Sequence, residues 1–180
     1  MRRLIWTWLL LGFTLLLILN SPPVLRAQAD CGRVDQIVFP VDQSRFTLVQ
    51  AFGAPSVRHQ GRFHTGEDWY SGRGTTEGLP VVAAANGRVT YSYDLGWGRD
   101  GGVVIIEHRF NDGTVAYTQY GHIRPGVDQP LPPRLSCVTA GAVIGFIADV
   151  RPAPHLHFEV RTGAPDLPGQ IGRASCRERV

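Results

Sequence analysis

The chain has 180 residues, a length that predicts one domain with or without appendages. Hydrophobic residues make up 43% and aromatics 9%, which excludes wholesale disorder, while 21 Gly and 13 Pro suit short strands and tight turns better than a helical bundle. The formal charge of +3 hints at nucleic acid, but all 18 basic residues are Arg and six of them lie in the two end segments; between Asp30 and Gln170, 12 Arg face 14 acids, which excludes a basic nucleic-acid binder.

Met1-Arg2-Arg3 is a short positive start, followed from Leu4 to Leu19 by sixteen residues without charge, then by Ser21-Pro22-Pro23 and Ala27-Gln28-Ala29. Charged start, apolar run, helix breaker and A-x-A site are the order of a secretory signal peptide, so residues 1–29 are expected to direct export to the cell exterior, wall or periplasm. The run is shorter than the roughly 20 residues that span a bilayer, and retention as a membrane anchor is the alternative. Asp30 ahead of Cys31 argues against a lipoprotein signal.

Residues 30–170 are expected to form the functional domain. Asp30 to Arg45 is a lead-in, and Phe46 to Arg62 is rich in turn residues. Val81 to Ala85 is an apolar segment that stops at Asn86-Gly87, a hairpin-turn signal, before Arg88 to Tyr93 resumes. The β-branched run Val103 to His108 ends at Asn111-Asp112-Gly113, and Thr114 to Gly121 returns as a second hairpin. Val143 to Ala148 and His155 to Val160 complete the series. No window after the leader has a 3.6-residue apolar period, so the expected fold class is all-β, mainly antiparallel sheet with long loops.

Residues 171–180 resemble the translation of a common sequencing adapter, and the expectation is that they are not native and that the natural sequence runs only to about Gly169 before the gene continues. Without Cys176, Cys31 and Cys137 remain and could pair in an oxidising compartment, the alternative being two free thiols.

Of six histidines, four sit in patterns suited to metal chemistry. His64 and Asp68 are spaced i, i+4 around Gly66, which argues against a helix; in an extended segment both still face one side. In Pro154-His155-Leu156-His157-Phe158-Glu159-Val160, strand parity sends Leu156, Phe158 and Val160 to the core and His155, His157 and Glu159 to the opposite, solvated face. In Tyr117 to His122 the same parity puts Thr118, Tyr120 and His122 on one face. A catalytic zinc takes three protein ligands and leaves its fourth position to water. HExxH, G-x-S-x-G, Walker A and dinucleotide-binding signatures are all absent from the sequence.

From Phe52 to Asp166 the chain resembles the lysostaphin/LytM-like zinc endopeptidases, bacterial cell-wall hydrolases. The resemblance rests on H-x-x-x-D at His64 and Asp68, G-x-P-V-x-A-A-x-x-G-x-V from Gly78 to Val89, V-x-I-x-H from Val104 to His108, Y-x-H from Tyr120 to His122, and H-x-H-F-E from His155 to Glu159. It implies a compact β domain with a zinc groove, His64, Asp68 and His157 as ligands of one Zn2+, and His122 and His155 as non-ligand catalytic histidines. Two neutral imidazoles and one carboxylate would leave the metal net positive, the condition for acidifying water toward ~7. One histidine would move the proton to the leaving amine while the other stabilises the oxyanion. Ala148 to Pro154 departs from the family, which usually has a Gly-rich turn with Ser or Thr there, so that groove wall and the substrate preference are expected to differ.

His108 is expected to pack or hydrogen-bond, His59 to lie exposed in a loop, and Glu159 to orient a ligand; Trp69 and Trp97 either line a groove or join the core. The function expected from the resemblance is a secreted zinc endopeptidase cutting peptide cross-links of peptidoglycan, acting as a monomer and contacting membrane only if its leader is retained. A catalytically silent wall-associated activator of other hydrolases is the alternative. Relatives of that kind typically lack a ligand, whereas all five site residues are present here.

Overall fold

A computed structural model describes residues 30–56 and 62–163. The leader, His59 and the segment from residue 164 onward, with the adapter-like tail, lie outside the described residues. In chain order the strands are β1 Thr47–Gln50, β2 Pro55–Ser56, β3 Arg62–Phe63, β4 Glu67–Tyr70, β5 Pro80–Val82, β6 Gly87–Tyr93, β7 Gly102–Arg109, β8 Val115–Arg124, β9 Cys137–Val138, β10 Val143–Ile147 and β11 Leu156–Arg161. Among the described residues the only helical element is a 3-10 turn at Gly98–Asp100, and no helix is long and apolar enough to cross a membrane.

One sheet runs in the order β1-β4-β11-β8-β7-β6-β9, with β10 joining β5 and β8 off this path, and every pairing is antiparallel. The continuous apolar run Val103–Ile106 has a simple cause: β7 is covered on both faces. Val104 and Ile106 join Val81, Val89, Tyr120, Ile123, Ile144, Ile147 and Leu156 in the main core, and Val103 and Ile105 lie under Trp97 on the other face.

The hairpin expected at Asn111-Asp112-Gly113 forms between β7 and β8, with Arg109 opposite Val115. The one expected at Asn86-Gly87 does not, because β5 pairs with β10 while β6 pairs with β7 and β9. The intervening backbone is engaged elsewhere: Ala83 N–H donates to Ala142 O, and Ala84 O accepts from Val38 N–H. The Asn86 amide donates to Arg33 O and Asp35, and its oxygen accepts from Ala140 N–H. Asn-Gly here marks a corner between two packed layers, which these tertiary bonds specify.

The lead-in is built into the domain. Val82 N–H donates to Pro40 O, Phe39 meets Trp69 edge-on at 4.6 Å, and Val41 and Phe46 are buried. A disulfide joins Cys31 to Cys137 and fixes the start of the lead-in to β9.

Candidate metal centre

β4 and β11 are neighbours, and their register sets Asp68 directly opposite His157, so the two side chains meet as a cross-strand pair. His64 sits just before β4, where its backbone bonds to Gly53 and Ala54. His64 Nε2, Asp68 Oδ1 and His157 Nδ1 form a small triangle. Its edges are 3.0 Å between the imidazoles, 3.2 Å from His64 to Asp68 and 2.9 Å from His157 to Asp68. Ligands about 2.05 Å from a tetrahedral ion stand roughly 3.3 Å apart, so three donor atoms already converge on one coordination centre. They are the one group of three or more His, Cys, Asp or Glu with such convergence among the described residues.

The far nitrogen of each imidazole fixes the near one. His64 Nδ1 lies 3.2 Å from Ala51 O, and His157 Nε2 lies 2.8 Å from Glu159 Oε1. Those oxygens only accept, so both rings donate outward and aim their second nitrogen at the triangle, the arrangement that orients metal-binding histidines. Two imidazole nitrogens and a carboxylate oxygen, each so oriented, fit zinc.

Glu159 is 1% exposed. It also accepts from Thr65 Oγ1 and Gln119 Nε2, and Arg161 bonds its second oxygen at 2.7 Å through Nε. Burial pushes this carboxyl up, but His157 and Arg161 outweigh that and hold it below the ordinary carboxylate value. Burial likewise opposes ionisation of Asp68, yet the bonds from His157 and His64 hold it well below the usual range. For His157 burial alone would lower the pKa; the flanking Asp68 and Glu159 push it up to about 9 instead. A metal and a proton compete for the same Nδ1, so metal binding at this residue releases a proton.

Two expectations about facing need correction. Val160 is 66% exposed, whereas His157 and Glu159, expected on a solvated face, are buried. The cover is Thr65-Gly66, which lies so close that a Cβ on Gly66 would come 2.8 Å from His157 Nε2. The second concerns His122, which does not share a face with Thr118 and Tyr120. Val103 pairs with Gly121 but Gly102 pairs with Ile123, so His122 is the extra residue of a bulge, with φ of 60°. The bulge reverses the alternation and swings the imidazole away from the main core. There it meets Trp97 at 4.8 Å and His155 at 4.5 Å between ring centroids. Trp97 fits only because Gly121 has no side chain; a Cβ there would overlap the indole.

His122 Nδ1 donates to Asp100 O at 2.6 Å and His155 Nδ1 to Ala153 O at 2.8 Å. Burial, reinforced by the neighbouring His155, pushes His122 down to about 3 against the bond to Asp100, so it is a neutral imidazole with its lone pair on Nε2. His155 Nε2 lies 3.6 Å from Asp68 Oδ2. All five histidine and aspartate candidates therefore come together at one place. The sequence reading missed Thr65, Gln119 and Arg161, although the polar alternation 157, 159, 161 carried a signal for the last. Trp69 packs in the main core; Trp97 is 8% exposed, beside the site and part of the smaller core. His108 is buried and bonded on the far side of the sheet.

The chain belongs to peptidase family M23, whose family model matches residues 62–167. Among solved structures it is similar to a zinc-containing peptidase from Vibrio cholerae, with 26% identity and a TM-score of 0.54 over 74% of this chain and 42% of that one. It is also similar in fold to lysostaphin, with 22% identity and a TM-score of 0.52 over 71% of this chain and 49% of that one. The chain thus spans about half or less of these solved chains. No curated protein sequence matches it.

Proposed function

We propose that residues 30–170 form a zinc endopeptidase domain that hydrolyses peptide cross-links of bacterial peptidoglycan outside the cell, acting as a monomer after export by the 1–29 leader. The observation that carries this reading is the convergence of His64 Nε2, Asp68 Oδ1 and His157 Nδ1, each 2.9–3.2 Å from the other two. Membership of peptidase family M23 and the likeness to a zinc-containing peptidase support it. Zinc bound there would supply Lewis acidity for an amide carbonyl and acidify water toward neutral pH. His64, Asp68 and His157 would hold the ion, with Glu159 fixing the tautomer of His157. His122 and His155 each commit Nδ1–H to a backbone carbonyl, which leaves Nε2 as the atom that exchanges a proton. In this assignment one of the pair takes the proton from the attacking water and delivers it to the departing amine, and the other stabilises the oxyanion.

The test is incubation of the zinc-loaded protein with purified peptidoglycan, scoring new free amino groups and identifying released fragments by mass spectrometry. New amines are expected from the wild type and none from His157→Ala. A folded protein holding one zinc that releases no amine overturns the reading.

A further inference from the structure

The disulfide links the two edges of the large sheet. Cys137 lies in β9, the strand at one edge, and residues 31–46 run from Cys31 across the main-core side to β1 at the other edge. Near the disulfide this strap is lightly held. None of residues 32–38 is buried, and Ile37 is 72% exposed. The contacts there are Val34 N–H to Arg109 O, Val38 N–H to Ala84 O, and the Asn86 amide on Arg33 O and Asp35. Only farther along do Val41 and Phe46 enter the core.

The other end of the strap carries two of the three converging donors. Among the described residues β1 pairs with β4 alone, and it sets Gln50 opposite Asp68. Just beyond it Ala51 O accepts from His64 Nδ1, while Gly53 N–H donates to His64 O and His64 N–H to Ala54 O. β1 buries little of itself: Thr47, Leu48 and Val49 are exposed, as are Ala51, Phe52 and Gly53. Such an edge opens locally at low free energy unless it is held from outside. His157, by contrast, lies in β11, which pairs with β4 on one side and β8 on the other. The donor triangle is thus divided between a fixed inner strand and an edge that the strap holds.

We infer that the Cys31–Cys137 disulfide is a redox switch for the metal centre. While it is closed, the strap is pinned at both ends and His64 and Asp68 meet His157. In the dithiol form residues 31–54 open and the triangle comes apart. The two cysteines are 106 residues apart, so the bond withdraws a large amount of freedom from the open state. Closure is thiol–disulfide exchange: the two thiols give up two electrons and two protons to the disulfide of an exchange partner, and thiol reductants reverse it. The centre is therefore weak among reducing thiols and competent where disulfides persist. The inference rests on the metal-centre reading and is independent of the substrate.

The experiment uses the full chain with Cys176→Ser, which leaves Cys31 and Cys137 as its only cysteines. Its disulfide form is compared with the form reduced by a phosphine and kept under argon, and with Cys31→Ser/Cys137→Ser, which has no thiol to bind metal. Zinc affinity is read by competition with a chelating dye, and backbone hydrogen exchange is read without metal. Opening should weaken zinc binding on the order of tenfold, because only the closed fraction binds. Exchange should quicken at the Gly53 and His64 amides while those of Ile105 and Gln119 stay protected, and reoxidation should restore both readouts. The reduced chain carries the test alone if the serine variant does not fold. Equal zinc affinity in the disulfide and dithiol forms overturns the switch. Exchange that quickens throughout the sheet also overturns it, since the bond would then be a general staple. If the disulfide form binds no zinc, the metal-centre reading fails; selective exchange at Gly53 and His64 on reduction still upholds the opening of the triangle, and unchanged exchange rejects it.

Discussion

Two faces of one sheet each bury a histidine network, and they differ in where the lone pairs go. On the main-core face His108 Nδ1 donates to Asn86 O at 2.9 Å and Nε2 meets the Thr118 hydroxyl at 2.7 Å. That hydroxyl lies 2.9 Å from Tyr120 Oη, which accepts from Ala84 N–H. The chain of bonds runs outward from the ring and each partner is used, so it specifies the corner at Ala84–Asn86 and nothing else. On the opposite face His64 and His157 each spend one nitrogen on a fixed acceptor, and the second nitrogens converge on Asp68. Burial alone therefore does not set the two kinds of histidine apart; convergence of the remaining ring nitrogens on one carboxylate does.

The sharpest way to break this contrast is to exchange the two kinds of histidine for Ala. His157→Ala should abolish stoichiometric zinc binding, read by metal analysis of the purified protein, and with it any peptide cleavage. His108→Ala should keep one zinc per chain and lose about 1–3 kcal/mol of stability in urea unfolding, because Asn86 O and Thr118 Oγ1 lose their partner inside the core. If His108→Ala lost zinc and His157→Ala kept it, the distinction drawn here would be reversed. Glu159 tests the layer behind the ligands. Glu159→Gln should weaken zinc binding about 10- to 100-fold without abolishing it, as measured by competition with a chelating dye. Glu159→Ala should in addition cost about 3–5 kcal/mol, since it strands the buried charge of Arg161.

Much of this was legible in the sequence because it depends on local pattern. The β7–β8 hairpin followed from a β-branched run, Asn-Asp-Gly and a returning strand. His157 and Asp68 were readable as a pair of motifs, since a two-residue period and a short spacing survive folding unchanged. The failures have one cause: they depend on what a neighbouring segment does. The Asn86-Gly87 corner is decided by Val38, Ala140 and Ala142, all distant in sequence. The burial of His157 and Glu159 is decided by Thr65-Gly66 lying across them. The facing of His122 is decided by a single extra residue against β7, which no count of alternating positions reveals. Adjacent glycines at 101 and 102, opposite that bulge, are the nearest thing to a local sign of it.

The smallest effect, and the one that isolates the structural histidine, is its pH dependence. Burial pushes His108 below its ordinary value, against the bond to Asn86 and the charge of Glu107, which both raise it. In the unfolded chain the same imidazole titrates near ~6.5. As pH falls through that value the unfolded state takes up a proton that the folded state refuses. The contribution of a neutral His108 to stability is thus fully present above about pH 6.5 and declines below it, by at most about 1.4 kcal/mol per pH unit until the depressed folded pKa is reached. His108→Gln keeps a donor and an acceptor at the position but cannot titrate. The difference in unfolding free energy between pH 7.5 and 5.5, measured without added metal, should therefore be smaller in His108→Gln than in the wild type. Subtracting the two removes the contribution of the histidines around Asp68, which both proteins share. Identical slopes in the two proteins would mean that His108 titrates alike folded and unfolded, and its place as a neutral, fully bonded core residue would be lost.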